Sequence, residues 1–320
     1  MNPTQHVPLD ARPQRVLVTG GAGFIGSHLV DALCALGAEV VALDDLSNGR
    51  RANLAGEGAR ARFVEGSIAS DAALDSALAG VELVFHLAAK GSVPQSIETP
   101  RAYHEVNVGG TLAVLEACRR HGVRRVVYAA SSSAYGDQPG LPKVEGMVPD
   151  PRSPYAYSKL ACEHLMRAWS RCYGLETVSL RYFNIFGPRQ RHDSPYAAVV
   201  PMFAERMRAG ARPVIYGDGL QTRDFTHVAN AVHANLLAGA RPGALAGEMV
   251  NVACGESFTL IELVERIGAL LGTRVEPEFR PMRTGDVMHS RASIDAARAL
   301  LGYEVIVPFA EGLAQAVARG

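Results

Sequence analysis

Residues 15–44 read RVLVTGGAGFIGSHLVDALCALGAEVVALD, and the fold is decided there. Residues 15–19 are a short, β-branched run that ends in a glycine-rich turn. Residues 24–36 (FIGSHLVDALCAL) place apolar side chains at helical spacing. Residues 39–43 (EVVAL) form a second run of strand type. The whole is a β–turn–α–β unit of ordinary length. Gly20, Gly23 and Gly26 stand where strand hands over to helix. Glycines there make a tight turn, let backbone approach a diphosphate and let helix pack closely on strand. The diphosphate then meets the positive helix N-terminus. A glycine triplet alone is a weak signal, but here it is flanked by the right elements. Asp44 closes the second run, where an acid holds both hydroxyls of an adenosine ribose and favours NAD over NADP. Asp45 is the rival for that role.

The alternation continues outward. Strands are predicted over 62–66, 81–89, 124–132 and 177–187, the last running into a loop. Helices are predicted over 71–79, 104–121 and 155–173. Repeated βαβ units with near-continuous apolar strands mean a parallel sheet covered on both faces. The predicted class is therefore α/β, a Rossmann-like doubly wound parallel sheet. After Gly187 the pattern changes. Helices near 196–209, 227–239 and 259–271 are separated by glycine- and proline-bearing loops such as YGDGLQTRDF (216–225). This half reads as a smaller, mixed α/β substrate domain. The expected division is 1–183 for the dinucleotide domain and 184–320 for the substrate domain, with some later segments returning to the first.

Composition narrows the class. The chain has 320 residues, 48% hydrophobic and 20% charged, with zero formal net charge. Nucleic-acid and membrane surfaces usually require a basic patch, so neither is the expected partner. The five cysteines are scattered, with no CxxC or Cys/His metal spacing, which predicts free thiols and no metal. The first fifteen residues hold no apolar signal-peptide core, and no apolar run of ~18 residues is present to span a bilayer. The expected location is the cytoplasm.

SPYAYSKLACEHL (153–165) carries one of only three lysines in an arginine-rich chain; the others are Lys90 and Lys143. On a helix, positions i and i+4 share a face, so Lys159 belongs to Tyr155 and Tyr157 points elsewhere. A free tyrosine, pKa ~10, is a poor base at neutral pH. A nearby ammonium, with a positive nicotinamide, favours the phenolate and makes Tyr155 an acid/base for an alcohol that becomes a ketone. A compact charge that also hydrogen-bonds a ribose suits lysine better than arginine. AASSSAYG (129–136) ends a predicted strand, where ligands gather in such folds, so a hydroxyl of Ser131, Ser132 or Ser133 is the expected third member. His86, in FHLAA, reads as a strand residue beneath the cofactor and not as a catalyst.

TGGAGFIGSH, the serine turn, PYAYSK and RYFNIFGPRQ together resemble the extended short-chain dehydrogenase/reductase superfamily, and within it the nucleotide-sugar 4-epimerases. GSVPQSI, AASSSAYGDQPGLPKVE, YAAVVP and GDVMHS are most similar to the bacterial UDP-N-acetylglucosamine 4-epimerase group. The resemblance covers nearly the whole chain. It implies bound NAD, a UDP-sugar substrate, a homodimer through the helices near 104–121 and 155–173, and epimerisation through a 4-keto sugar. It implies Tyr155 as proton acceptor, Lys159 as its partner and Ser131 as the hydroxyl sharing the substrate O4. Beside the glycines and Asp44, it assigns Phe24, Ile25, Ser67, Ile68, Leu87, Ala89, Asn107 and Tyr182 to the cofactor. To the substrate it assigns Gly91, Ser92, Ser132, Asn184, Val199, Val200, Tyr216, Arg223, Arg283 and Ser290. Arginine matches phosphate oxygens bidentately, which suits Arg223 and Arg283.

Departures from relatives also inform. Many carry Asp where this chain has Ser67, leaving Ser67 and the Ile68 backbone to hold the adenine. The related 4,6-dehydratases carry an Asp-Glu pair where this chain has Ser132 and Ser133, and UDP-glucuronate decarboxylases usually carry a Glu in that turn. UDP-glucuronate 4-epimerases, the alternative reading, tend to have Thr where Asn184 sits. Epimerases confined to UDP-glucose and UDP-galactose have a bulky tyrosine where this chain has Ser290. The expected substrates are therefore UDP-GlcNAc and UDP-GalNAc, with or without the unacetylated pair.

Overall fold

A computed structural model of the chain describes residues 3–4, 15–191 and 198–318. Most of the amino-terminal segment read above, and Tyr196 and Ala197 of YAAVVP, lie outside the described residues. The first six strands are β1 (Arg15–Thr19), β2 (Glu39–Asp44), β3 (Arg62–Glu65), β4 (Leu83–His86), β5 (Arg125–Ser131) and β6 (Glu176–Tyr182). Most are near-continuous apolar runs, which are stable only with both faces covered. The helices between them are α1 (Phe24–Ala35), α2 (Asp71–Leu78), α3 (Val93–Glu98), α4 (Pro100–Tyr103), α5 (Gly110–Arg120) and α6 (Pro154–Tyr173). Ala246–Val252 adds a seventh strand beside β6. The sheet order is then 246–252, β6, β5, β4, β1, β2, β3, and every neighbouring pair is parallel. The order reverses between β4 and β1, so a crevice opens at the carboxyl ends of those strands.

Two elements differ from the sequence reading. The strand expected over 81–89 stops at His86, and Leu87–Ala89 turn away along the crevice. The helix expected over 104–121 begins earlier, at Pro100, and passes through a π-helical stretch, His104–Gly109, before α5. Proline is pre-organised for a first helical position, which explains the early start.

Each face of the sheet has its own core. α1 and the helix Val228–Ala240 cover one, and α2, α5 and α6 cover the other. Arg125 fixes the late helix in place. Its buried guanidinium donates to the carbonyls of Ala238, Gly239, Arg241 and Gly243, and its Nε to Glu176 at 2.7 Å. Those are the orphan acceptors of a helix C-terminus, met here by a cation from the sheet. A third apolar cluster, around Phe186, Phe203, Ile215, Phe225, Leu263 and Phe309, lies beyond the carboxyl ends of the strands. Chain from the second half thus enters one of the two sheet cores as well as the separate cluster. Among the described residues no helix is long and apolar enough to cross a membrane.

Candidate functional site

One cleft of about 1370 Å³ runs between the carboxyl ends of the sheet and the third cluster. The β1–α1 turn forms one end. Gly20 has φ of +68°, a left-handed conformation that favours glycine, and a Cβ on Gly26 would stand 2.0 Å from the Gly20 carbonyl. No side chain caps the N-terminus of α1, so its first amides face the cleft. A bare backbone cradle with open amide donors fits a dinucleotide diphosphate. Asp44 lines the cleft beside it, its carboxylate accepting from the amides of Ala22 at 3.0 Å and Leu46 at 2.9 Å. Burial pushes the Asp44 carboxyl up, against those amide bonds. Asp45 also lines the cleft, with its carboxylate turned to Ser47.

α6 starts where Ser153 accepts from the Ala156 amide at 3.1 Å and Pro154 takes the first helical position. That start brings Tyr155 and Lys159 to the cleft one turn apart. Tyr157 is exposed and stacks on His104. Lys159 is 5% exposed and donates to the Ala129 carbonyl at 2.7 Å; burial lowers its pKa to about 8. Burial pushes the Tyr155 phenol up, and the group that pulls it back down is the Ser131 hydroxyl. The spacing argument assigned that effect to Lys159, but Lys159 is turned to β5. Of the three serines, Ser131 is the one whose hydroxyl acts on the phenol; Ser133 donates to Ser131 from its amide at 3.2 Å and its hydroxyl at 2.9 Å. His86 is buried between Thr19 and Thr111, and burial, with the charge of Lys159, drives its pKa down to about 3. A ring so held stays neutral, has both nitrogens engaged by threonine hydroxyls and does not line the cleft.

Most of the expected residues line this single cleft: Gly20, Gly23, Phe24, Ile25, Gly26, Asp44, Ser67, Ile68, Leu87, Ala89 and Tyr182 at the cofactor side, and Gly91, Ser92, Ser131, Ser132, Asn184, Val200, Arg223 and Ser290 at the other. Four do not line it. Asn107 is buried and bonded to both backbone groups of Lys90 and to Ser158, so it braces the 90–92 turn. Val199 packs against the third cluster and leaves Val200 and Pro201 on the wall. Arg283 stacks over the Tyr216 ring at 3.6 Å, a pair set beside the cleft.

The substrate side is knotted by Asp224. Its carboxylate accepts from the amides of Cys254 at 3.0 Å, Gly255 at 3.1 Å and Ala292 at 3.1 Å. Its carbonyl accepts from the Asn184 side chain at 3.0 Å. Burial raises the Asp224 carboxyl to about 7 despite the three amides. Asn184, with φ of +38°, and Arg223 flank this knot.

Among the contributors to the site that sequence reasoning missed are two lysines and a tyrosine. Lys90 and Lys143 both line the wall, so every lysine of the chain faces one cleft; the rarity of lysine was the available signal. Tyr103 packs edge-on to Tyr155 and accepts from the Ser92 amide at 3.0 Å. Nothing in its sequence neighbourhood marks it.

Residues 16–253 match the NAD dependent epimerase/dehydratase family, and the chain belongs to that family. Among curated relatives, the UDP-glucose 4-epimerase of Mycolicibacterium smegmatis is 42% identical over 308 residues, covering 95% of this chain and 97% of that protein. The solved UDP-N-acetylglucosamine 4-epimerase from Methanobrevibacter ruminantium, in complex with UDP-N-acetylmuramic acid, is 38% identical with a TM-score of 0.91, covering 96% of this chain and 98% of that one. The Thermus thermophilus UDP-glucose 4-epimerase, in complex with NAD, is 37% identical with a TM-score of 0.87 over the same shares.

Proposed function

We propose that this enzyme, an NAD-dependent UDP-sugar 4-epimerase, interconverts UDP-N-acetylglucosamine and UDP-N-acetylgalactosamine, with or without the glucose and galactose pair. Bound NAD supplies the hydride chemistry at C4 of the sugar. Tyr155 takes the proton from O4 and returns it to O4 once the 4-keto sugar has presented its other face, while the Ser131 hydroxyl lies beside both O4 and the phenol. Lys159 keeps an ammonium beneath the site, and the neutral His86 adds no competing charge. Arg223 and Asn184 hold the diphosphate end, leaving the sugar room to turn between Gly91–Ser92 and Ser290.

The observation that carries the sugar choice is Ser290. It is small, 9% exposed and on the cleft wall, its amide pinned to the Thr222 carbonyl at 3.1 Å. A bulky ring there would fill the space an N-acetyl group needs. Three further residues support the reading. Ser132 and Ser133 put no carboxylate at the turn where a dehydratase needs an acid and a base. Asn184 occupies a positive φ that a β-branched Thr disfavours, against the glucuronate alternative. The exposed Leu112 and Tyr157, on α5 and α6, support a homodimer through that face.

The test is to incubate purified enzyme with UDP-GlcNAc and, separately, UDP-glucose, following the anomeric protons by NMR. Formation of UDP-GalNAc, lost in Ser290→Tyr with UDP-glucose turnover kept, is expected. Ser290→Tyr with undiminished acetylated-sugar turnover refutes the pocket argument, and no turnover of either sugar refutes the reading.

A further inference from the structure

After the short strand Ile185–Phe186, the chain crosses the cofactor half of the cleft as Gly187–Arg191, and all five residues line it. The segment is tied at three points to the opposite wall. The Pro188 carbonyl lies 2.9 Å from His28 Nε2 on α1. Arg189 Nη2 donates to Asp31 Oδ2, also on α1, at 2.6 Å. Arg191 Nη1 reaches Asn48 Oδ1, in the loop after β2, at 3.4 Å. Arg189 itself sits at φ of +66°, a conformation that non-glycine residues rarely adopt and that persists only when surrounding contacts enforce it. The ion pair is the strongest of the three ties and the best placed to enforce it.

These ties close a ring. One side is the glycine turn, α1 and the loop carrying Asp45 and Asn48; the other is the strap. A dinucleotide held in the cradle cannot leave through that side while the ties are made. Retention matters for a reaction in which the hydride taken from C4 must be returned by the same cofactor, because release part-way strands the keto sugar. We propose that Gly187–Arg191 is a cofactor-retaining strap and that Arg189 is its positioning residue, acting through Asp31. The inference rests on the NAD dependence of the family and is independent of which sugar is turned over.

Asp31 and Arg189 are 23% and 29% exposed, so water and salt reach the pair. Holoenzyme loaded with NAD is mixed with excess isotopically labelled NAD, and exchange is timed at low salt and at high salt. Wild type is expected to exchange slowly at low salt and faster at high salt. Asp31→Asn keeps an acceptor for the Gly58 amide, which Asp31 also holds, and removes only the charge. It is expected to exchange about fivefold faster at low salt and to lose the salt response. Arg189→Asn, which tolerates the left-handed backbone, is expected to match it. Turnover at saturating NAD stays at the wild-type level in Asp31→Asn, whose side chain does not line the cleft. Wild-type exchange that ignores salt, variants that exchange at the wild-type rate, or a loss of saturated turnover as large as the gain in exchange would each overturn the proposal. The salt response of wild type needs no variant to fold.

Discussion

Replacing Asp224 by asparagine tests the knot behind the substrate wall. The carboxyl is 0% exposed, and its pKa rises from 3.8 to about 7. A raised carboxyl means that the folded protein holds a proton the unfolded chain has released. Stability from this group is therefore full below the unfolded pKa and is lost as pH rises through the folded one. Across the whole window the three-unit shift is worth about 4 kcal/mol. Between pH 5 and pH 8 the share lost is about 2–3 kcal/mol. The asparagine amide does not titrate and escapes that loss. It retains one acceptor oxygen, however, and leaves at least one of three amide donors short, at a cost of about 1–3 kcal/mol independent of pH. Asp224→Asn is thus less stable than wild type at pH 5 and catches up, or overtakes, by pH 8. For a chain of 320 residues, with unfolding entropy of about 0.7 kcal/mol/K, the gap in melting temperature closes by about 4 °C. The assay is thermal unfolding of both proteins, saturated with NAD, at half-unit steps from pH 5 to pH 8. A gap that stays constant across that range refutes the argument, because it means that Asp224 does not change protonation there.

Two other substitutions probe the site and its support. Tyr155→Phe keeps the ring that packs on Tyr103 and removes the proton acceptor; turnover is expected to fall about 10²–10⁴-fold, with bound NAD per chain unchanged, and near-normal turnover refutes the role. Glu163→Gln leaves Arg181, 1% exposed and paired to Glu163 through Nε at 2.8 Å and Nη2 at 2.7 Å, as a buried charge without its partner; a loss of about 3–5 kcal/mol, read by urea unfolding, is expected, and a loss under about 1 kcal/mol contradicts it.

The first half of the sheet is legible in the chain because its information is local. Val16–Val18 and Val40–Leu43 are unbroken apolar runs, and the glycines between them admit only a tight turn and a close helix. Tyr155 and Lys159 share a face by helical geometry alone. The strand Ala246–Val252 was not legible. Its sequence, AGEMVNV, is neither a clean alternation nor an apolar run, and its register shifts between Ala246 and Glu248. Only the exposed edge of β6, far earlier in the chain, makes it a strand.

Sequence alone determined the residue types of the site: a glycine turn that must be bare, an acid at the end of β2, a tyrosine and a lysine one helical turn apart, a cluster of hydroxyls. Tertiary structure decided which of these touch. It set the Ser131 hydroxyl on the Tyr155 phenol and the Lys159 ammonium on the Ala129 carbonyl, left Asn107, Val199, Tyr216 and Arg283 off the cleft lining, and brought Lys90, Lys143 and Tyr103 to the site. The physical reason is one of range. Turn and helix geometry act over a few residues and are written into neighbouring side chains. Burial, hydrogen-bond partners and pKa depend on segments distant in sequence meeting at the end of one sheet.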